Sequence, residues 1–490
     1  MSDRRALTSV STKVFYGLGS IAYGVKDNGF QTILLPFYNL VLHVPAQLAG
    51  LAIFIALVVD AFLDPIVGQM SDNLRSRWGR RHPLMYLSAL PVSISYLLLW
   101  NPPAWSPGAL FVYLIVVAIV VRTFITFYEI PSSALVPELT EDYDERTSFI
   151  AYRIFFGWYG GLTMLAFALF VFMRPDTAHK VGQLNPIGYS HYGLMAAVVM
   201  FAAILISAAG THRFIPLFRQ PPARAPSILQ YAKEMLATLN NRAFLILLAA
   251  GIFFNTATGL VFALTFYVNT FFWKFSNQQI GVLTLASFVA VLIAFVISPP
   301  LSRRFGKKKS AILMFAFGIT VNSMPLILGL LGIVAAKPSW GLVAFIFAFS
   351  TIGAAFAIGS SIMLVSMIAD VVEDSELKTG RRSEGLFFAG SSFLQKAASG
   401  FGLFASGLVL WAAHFPTGKQ PNQIDPHIVW NFAIVFLATV FVLYGIAFLI
   451  ISRFPISRAS HEANLRKLAD EAALLSPTIA VDQAIVPTAE

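Results

Sequence analysis

Twelve predominantly apolar runs, each at least eighteen residues long, divide this chain: about 14–42, 47–69, 83–101, 108–136, 148–173, 192–212, 242–272, 278–300, 310–334, 339–369, 384–413 and 428–452. A run of that length crosses ~30 Å of hydrocarbon as a helix. In lipid a helix is the one single segment that satisfies its own backbone hydrogen bonds. The chain is therefore expected to be an all-α integral membrane protein with twelve transmembrane helices. Composition agrees, since 57% of the 490 residues are hydrophobic and only 12% are charged, far from soluble norms. The first thirteen residues are polar, and the run behind them is too long for a cleaved signal peptide, so it is expected to remain as the first helix. Cysteine is absent, which removes any disulfide framework.

The 34 Lys and Arg give a formal net charge of +10, but their placement argues against nucleic acid as a partner. With both tails on one side, 25 of them fall there, in the tails and alternate loops, against five in the opposite loops. By the positive-inside rule this bias places both termini in the cytoplasm and the chain in a plasma membrane. The remaining four, Lys26, Arg122, Arg153 and Lys396, fall within the apolar runs.

The chain also repeats itself. Arg77-Trp78-Gly79-Arg80-Arg81 follows the second run and Arg304-Phe305-Gly306-Lys307-Lys308-Lys309 the eighth, 227 positions apart. Glu141-Asp142 with Arg146 after the fourth run is echoed by Glu373-Asp374 with Arg381 and Arg382 after the tenth. A constant offset implies two six-helix halves in parallel repeat, an arrangement that rocks about a midplane site in many transporters. The expected division is a tail 1–13, a bundle 14–212, a cytoplasmic linker 213–241, a second bundle 242–452 and a tail 453–490. The linker is expected to carry a short surface helix, residues 457–475 read as an amphipathic helix, and the last fifteen residues read as disordered.

Four acids lie well inside the runs, away from their ends: Asp27, Asp60, Asp64 and Glu129. Charge at the bilayer centre costs at least ~2.5–3.5 kcal/mol per residue, so such groups usually face a protein interior and handle ions or substrate. Asp60 and Asp64 are four apart and project from one helix face. Two ionised carboxylates there need compensation: one is protonated, a cation sits between them, or Lys and Arg lock both in salt bridges. The first two outcomes make a site for a proton or for Na⁺, a hard ion that takes oxygen ligands. From the cytoplasmic ends of their helices, Lys26 and Lys396 lie ~18 Å deep, Asp60 ~15 Å, Glu129 ~12 Å and Arg153 ~8 Å. One cluster near the midplane, drawing on both halves and formally neutral, is expected. Lys26 and Asp27 point about 100° apart and are not expected to neutralise each other.

Asp60-x-x-x-Asp64-Pro65-x-x-Gly68-x-x-Ser71-Asp72, followed by Ser76-Arg77-Trp78-Gly79-Arg80-Arg81-x-Pro83, resembles the signature of the glycoside–pentoside–hexuronide:cation symporters, a branch of the major facilitator superfamily. Tyr16-Gly17-x-Gly19, Lys26-Asp27, Ile130-Pro131, Leu135-Val136-Pro137, Arg153-x-Phe155-Phe156, Ala369-Asp370 and Lys396 extend the likeness over about residues 15–400. The resemblance implies an H⁺- or Na⁺-coupled symporter of a glycoside or sugar, hexuronides included. It implies alternating access by two pseudo-symmetric six-helix bundles, with no cofactor beyond the coupling ion. A monomer in the lipid bilayer is expected. The resemblance assigns cation binding to Asp60, Asp64, Thr126 and Glu129, and substrate contact to Asp27, Glu129, Arg153 and Lys396, with Lys26 beside them.

Three positions depart from the pattern. Leu63 stands where sodium-using members carry an asparagine oxygen, which favours H⁺. Ser133 replaces a tryptophan that would stack on a sugar ring, and Arg122 is an additional cation. Arg122 is expected either to receive an anionic group, such as a uronate carboxylate, in a bidentate pair, or to be fixed by Glu129 seven residues on. Arg153 reads as a sugar contact or as a gate or headgroup contact.

The basic loops, with Arg77, Arg80 and Arg81, are expected to bind across the halves. Their partners would be Glu138, Glu141, Asp142, Asp144, Glu373 and Asp374, latching one side; simple topology determinants are the alternative. Other classes find little support. The eight His fall in loops or at run ends, and neither His-Glu-x-x-His nor Gly-x-x-x-x-Gly-Lys-Ser/Thr occurs, so zinc chemistry and ATP-driven pumping lack their residues. A receptor that binds without transporting leaves the paired carboxylates purposeless. A lysolipid is the rival cargo, its headgroup on the charges and its tail on Phe-rich walls.

Overall fold

The computed structural model describes residues 8–140, 142–177, 179, 181–218, 241–379 and 384–456. Most of the expected linker, Glu141, Arg381, Arg382, the stretch 457–475 and the last fifteen residues lie outside the described residues. Among the described residues there is no strand.

Among the described residues, eleven helices are long and apolar enough to cross a membrane, and a twelfth crossing is built from shorter pieces. This first crossing, α1 (residues 10–41), consists of Val10–Leu18, Ser20–Asn28, a π-turn Gly29–Ile33, Leu34–Pro36 and a second π-turn Phe37–Val41. It is followed by α2 (Ala46–Asn73), α3 (His82–Trp100), α4 (Pro107–Ser133), α5 (Tyr143–Phe167, with a π-turn Ala168–Phe172) and α6 (Pro186–His212). The second set is α7 (Arg242–Tyr267, with a π-turn Val268–Phe272), α8 (Asn277–Phe305), α9 (Lys307–Leu330), α10 (Trp340–Thr379), α11 (Glu384–Ala412) and α12 (Pro426–Ile451). These are the twelve membrane helices the apolar runs require. The largest departure in length is α10, which continues past its apolar run through Glu373 and Asp374.

Two sequence features explain the irregular first crossing. A Cβ on Gly24 would lie 1.9 Å from the Gly157 carbonyl oxygen of α5, so glycine lets the two backbones touch. Pro36 has no N–H to give the preceding turn, and widened π-turns flank it on both sides. The repeat has a structural counterpart as well. Gly79 and Gly306, 227 positions apart, adopt φ of 72° and 77°, a conformation that favours glycine.

Between the halves, α2 packs along α11, α5 against α8, and the first π-turn of α1 against α7. The far end, away from the chain's tails, is closed by cross-half contacts. Tyr267 Oη donates to Asn39 Oδ1 at 2.8 Å, and Gln183 Nε2 donates to the Phe275 carbonyl at 3.2 Å. Tyr267, Phe271, Phe415 and Phe432 pack ring on ring behind them.

At the basic end the ion pairs of Arg80 and Arg81 lie within the first half. Arg80 and Arg81 both converge on Glu138 of their own half, at 2.6 and 3.1 Å. Arg81 also holds Asp72 at 2.6 Å and donates to Ser71 Oγ at 3.1 Å. Glu138 sits on the short helix Val136–Leu139 directly after α4. Asp142 caps α5, accepting from the Glu145 N–H at 2.9 Å, which is a helix-terminal role. Arg77 is exposed, while Glu373 and Asp374 are half-buried near the basic end of α10. In the second half Lys307 pairs with Asp370, and Lys308 donates to the Phe454 carbonyl at 2.7 Å.

Candidate coupling and substrate site

Five helices bring the predicted core charges together: α1 supplies Lys26 and Asp27, α2 Asp60 and Asp64, α4 Arg122, Thr126 and Glu129, α5 Arg153, and α11 Lys396. Helix periodicity sets the local order. One turn separates Asp60 from Asp64, and one turn separates Arg122 from Thr126, so two adjacent faces of α2 and α4 meet over two turns.

The deeper layer is sealed. Asp60 is 1% exposed and satisfied on both oxygens: Thr126 Oγ1 donates to Oδ1 at 2.8 Å, and Arg122 Nη2 donates to Oδ2 at 2.9 Å. Lys396 Nζ lies 3.2 Å from the same Oδ2. The Arg122 guanidinium also lies 5.3 Å from the centroid of the Phe30 ring, an additional attraction for a desolvated cation. Its Nε is buried without a hydrogen-bond partner.

The second layer is reachable. Asp64 and Lys396 keep 21% and 23% of their side chains exposed and form a 2.5 Å ion pair. This contact joins a carboxylate of the first half to an ammonium of the second. Thr126 Oγ1 lies 3.4 Å from Asp64 Oδ1. Glu129 and Arg153 face each other at 3.8 Å and are similarly accessible. Asp27 is the most open of the group, with Lys26 Nζ at 2.8 Å.

Several expectations change with this geometry. Arg122 is held by Asp60 instead of Glu129, because the neighbouring helix face is nearer than a residue two turns along the same helix. Glu129 takes Arg153 as its partner, which brings Arg153 into the central cluster. Lys26 and Asp27 do pair: adjacent Cα atoms are ~3.8 Å apart, and a four-carbon stem swings its ammonium round the helix. Two aromatics escaped the sequence reading. Phe30 underlies Arg122, and Tyr23 lies 5.4 Å below the Arg153 guanidinium while donating to the Arg153 carbonyl at 3.2 Å. Both stand three residues from the Lys26-Asp27 pair, a helical spacing that offered the signal.

The two carboxylates and Thr126 present oxygens with the chemistry of a small-cation site, and Lys396 and Arg122 occupy them here. Among the described residues no three His, Asp or Glu side chains converge as a metal cage.

Residues 15–458 match the family described as MFS/sugar transport protein. The isoprimeverose transporter of Lactiplantibacillus pentosus is 26% identical, covering 86% of this chain and 85% of that protein. The sphingosine-1-phosphate transporter MFSD2B of Mus musculus is 27% identical, covering 95% and 94%. A crystallised variant of the nucleoside transporter NupG superposes with a TM-score of 0.62 at 16% identity, covering 92% of this chain and all of that one. The last likeness speaks to the fold alone.

Proposed function

Because the chain belongs to the MFS/sugar transport protein family, we propose that it is a symporter coupling a glycoside or sugar to a proton, with Asp64 as the proton carrier. The observation that carries this reading is the Asp64–Lys396 pair, 2.5 Å long and contributed by the two halves. A proton on Asp64 removes the charge that holds Lys396. The ammonium is then left with its longer contact to Asp60, and the halves lose their strongest central tie. Reclosure re-forms the pair and expels the proton on the other side. A buried pair is costly to leave half-made, so the empty carrier is driven to complete it by substrate or by the ion pair.

Substrate hydroxyls suit the accessible groups, with Asp27 and Glu129 accepting and Arg153 and Lys26 donating. An anionic hexuronide would place its carboxylate on Arg153, whose contact with Glu129 is loose at 3.8 Å. Arg122, 3% exposed and committed to Asp60, is a poor receiver. The far-end contacts make this the state shut on that side, and the basic end is the cytoplasmic one by its Lys and Arg excess. One copy suffices, because both halves of a single chain complete the cluster.

The test is uptake into vesicles under an imposed pH or Na⁺ gradient, against a panel of neutral glycosides, glucuronides and lysophospholipids. A pH gradient is expected to drive glycoside accumulation. Accumulation of lysophospholipid alone, or uptake indifferent to both gradients, contradicts the reading.

A further inference from the structure

Building on the symporter reading, we infer that Arg122 is a tethered replacement for a metal coupling ion, and that its grip on Asp60 makes this carrier indifferent to Na⁺. Three observations lead there. First, Thr126 Oγ1 and Asp64 Oδ1 stand 3.4 Å apart, the spacing of neighbouring oxygens on a six-coordinate shell with bonds of ~2.4 Å. The same hydroxyl donates to Asp60 Oδ1 at 2.8 Å, a hydrogen bond that sets the second carboxylate beside it.

Second, the place of the ion is taken. Arg122 Nη2 is 2.9 Å from Asp60 Oδ2, and Lys396 Nζ reaches Asp60 and Asp64 at 3.2 and 2.5 Å. Two fixed cations thus meet two fixed anions, so the group is neutral without any bound ion. Arginine cannot shed its proton in a protein, and Arg122 packs on Phe30 with 3% exposure. It has no way to leave.

Third, the two carboxylates differ in what they can release. Lys396 is 23% exposed and long-stemmed, so it can swing off Asp64. A proton needs only that one carboxylate. A hard metal ion needs several oxygens at once, Asp60 among them, and Arg122 does not yield them. The arrangement accepts a proton and refuses Na⁺ for this geometric reason. The orphaned Arg122 Nε fits the same account, since the side chain is aimed at Asp60 through Nη2 at the expense of a bond from Nε.

The test uses the purified full-length protein in detergent, melted in NaCl or in choline chloride of equal ionic strength. Wild type is expected to melt at one temperature in both salts. Arg122→Gln keeps a hydrogen-bond donor near Asp60 but frees the charge. It is expected to gain a Na⁺-specific rise of about 2 °C or more. Arg122→Lys retains the cation and should stay indifferent. A Na⁺-specific shift in wild type, or none in Arg122→Gln, overturns the inference. Should Arg122→Gln fail to fold, a wild-type Na⁺ shift still overturns it, and Na⁺-stimulated uptake by Arg122→Ala in vesicles supports it. The melting readout needs no transport, so failure of proton-driven uptake would sink the symporter reading while leaving this result standing.

Discussion

Two clusters of basic side chains and carboxylates differ in where their members come from, one lying within the first half and the other between the halves. At the basic end, Arg80, Arg81, Glu138 and Asp72 all belong to the first half. At the centre, Asp60 and Asp64 of the first half meet Lys396 of the second. Charges confined to one half can only stiffen it, since they move together when the halves rock. On the proposed mechanism, charges that bridge the halves are broken and remade in each cycle, and so tie that cycle to an ion. The lesson is that partner identity, more than burial or pair length, separates a structural ion pair from a coupling one.

The sharpest way to break the contrast is Asp64→Asn. One pH unit is worth ~1.4 kcal/mol, or about tenfold accumulation per proton carried. That whole gain is expected to vanish in vesicle uptake, while substrate binding by the purified protein persists. Glu138→Gln makes the opposite point. It leaves two guanidinium groups facing each other, and one-sided loss of a largely buried pair costs about 2–3 kcal/mol after allowance for the partly exposed Arg80. The expected outcome is a melting point lowered by about 5 °C with proton-driven accumulation per folded molecule unchanged.

Tyr267→Phe tests the far end. It removes one buried cross-half hydrogen bond, worth ~1 kcal/mol, and should shift the balance toward the far-end-open state about fivefold. The chain has no cysteine, so the labelling rate of a single cysteine placed at Gln47, half-buried at the far end of α2 against Gly407 of α11, reports that shift. Arg77→Ala, an exposed arginine in the same loop as Arg80, is expected to change stability by less than about 0.5 kcal/mol. An effect as large as that of Glu138→Gln would mean that the loop does bridge the halves after all.

Much of this was legible in the sequence because bilayer length leaves little choice. Twelve apolar runs became twelve crossings, and the glycines of the two Arg/Gly loops mark the repeat in space as well as in order. The central residues were legible too, because charge in an apolar run is rare enough to point at a common site. Partner identity was not. Arg122 and Glu129 share a helix face on paper, but helices pack 8–10 Å apart, which puts Asp60 of α2 closer to that guanidinium. Lys26 and Asp27 diverge by backbone direction, yet a flexible stem overrides a Cβ vector. The broken course of α1 was equally hidden: Pro36 and Gly24 are visible, but how neighbouring helices accommodate them is a tertiary matter.

The most direct measurement is proton movement on adding substrate to de-energised vesicles, wild type beside Asp64→Asn. In wild type, substrate entry should alkalinise the medium in proportion to uptake. In Asp64→Asn, substrate should equilibrate across the membrane with no pH change. Substrate-dependent alkalinisation that survives in Asp64→Asn would contradict the assignment of the coupling proton to the carboxylate that bridges the halves.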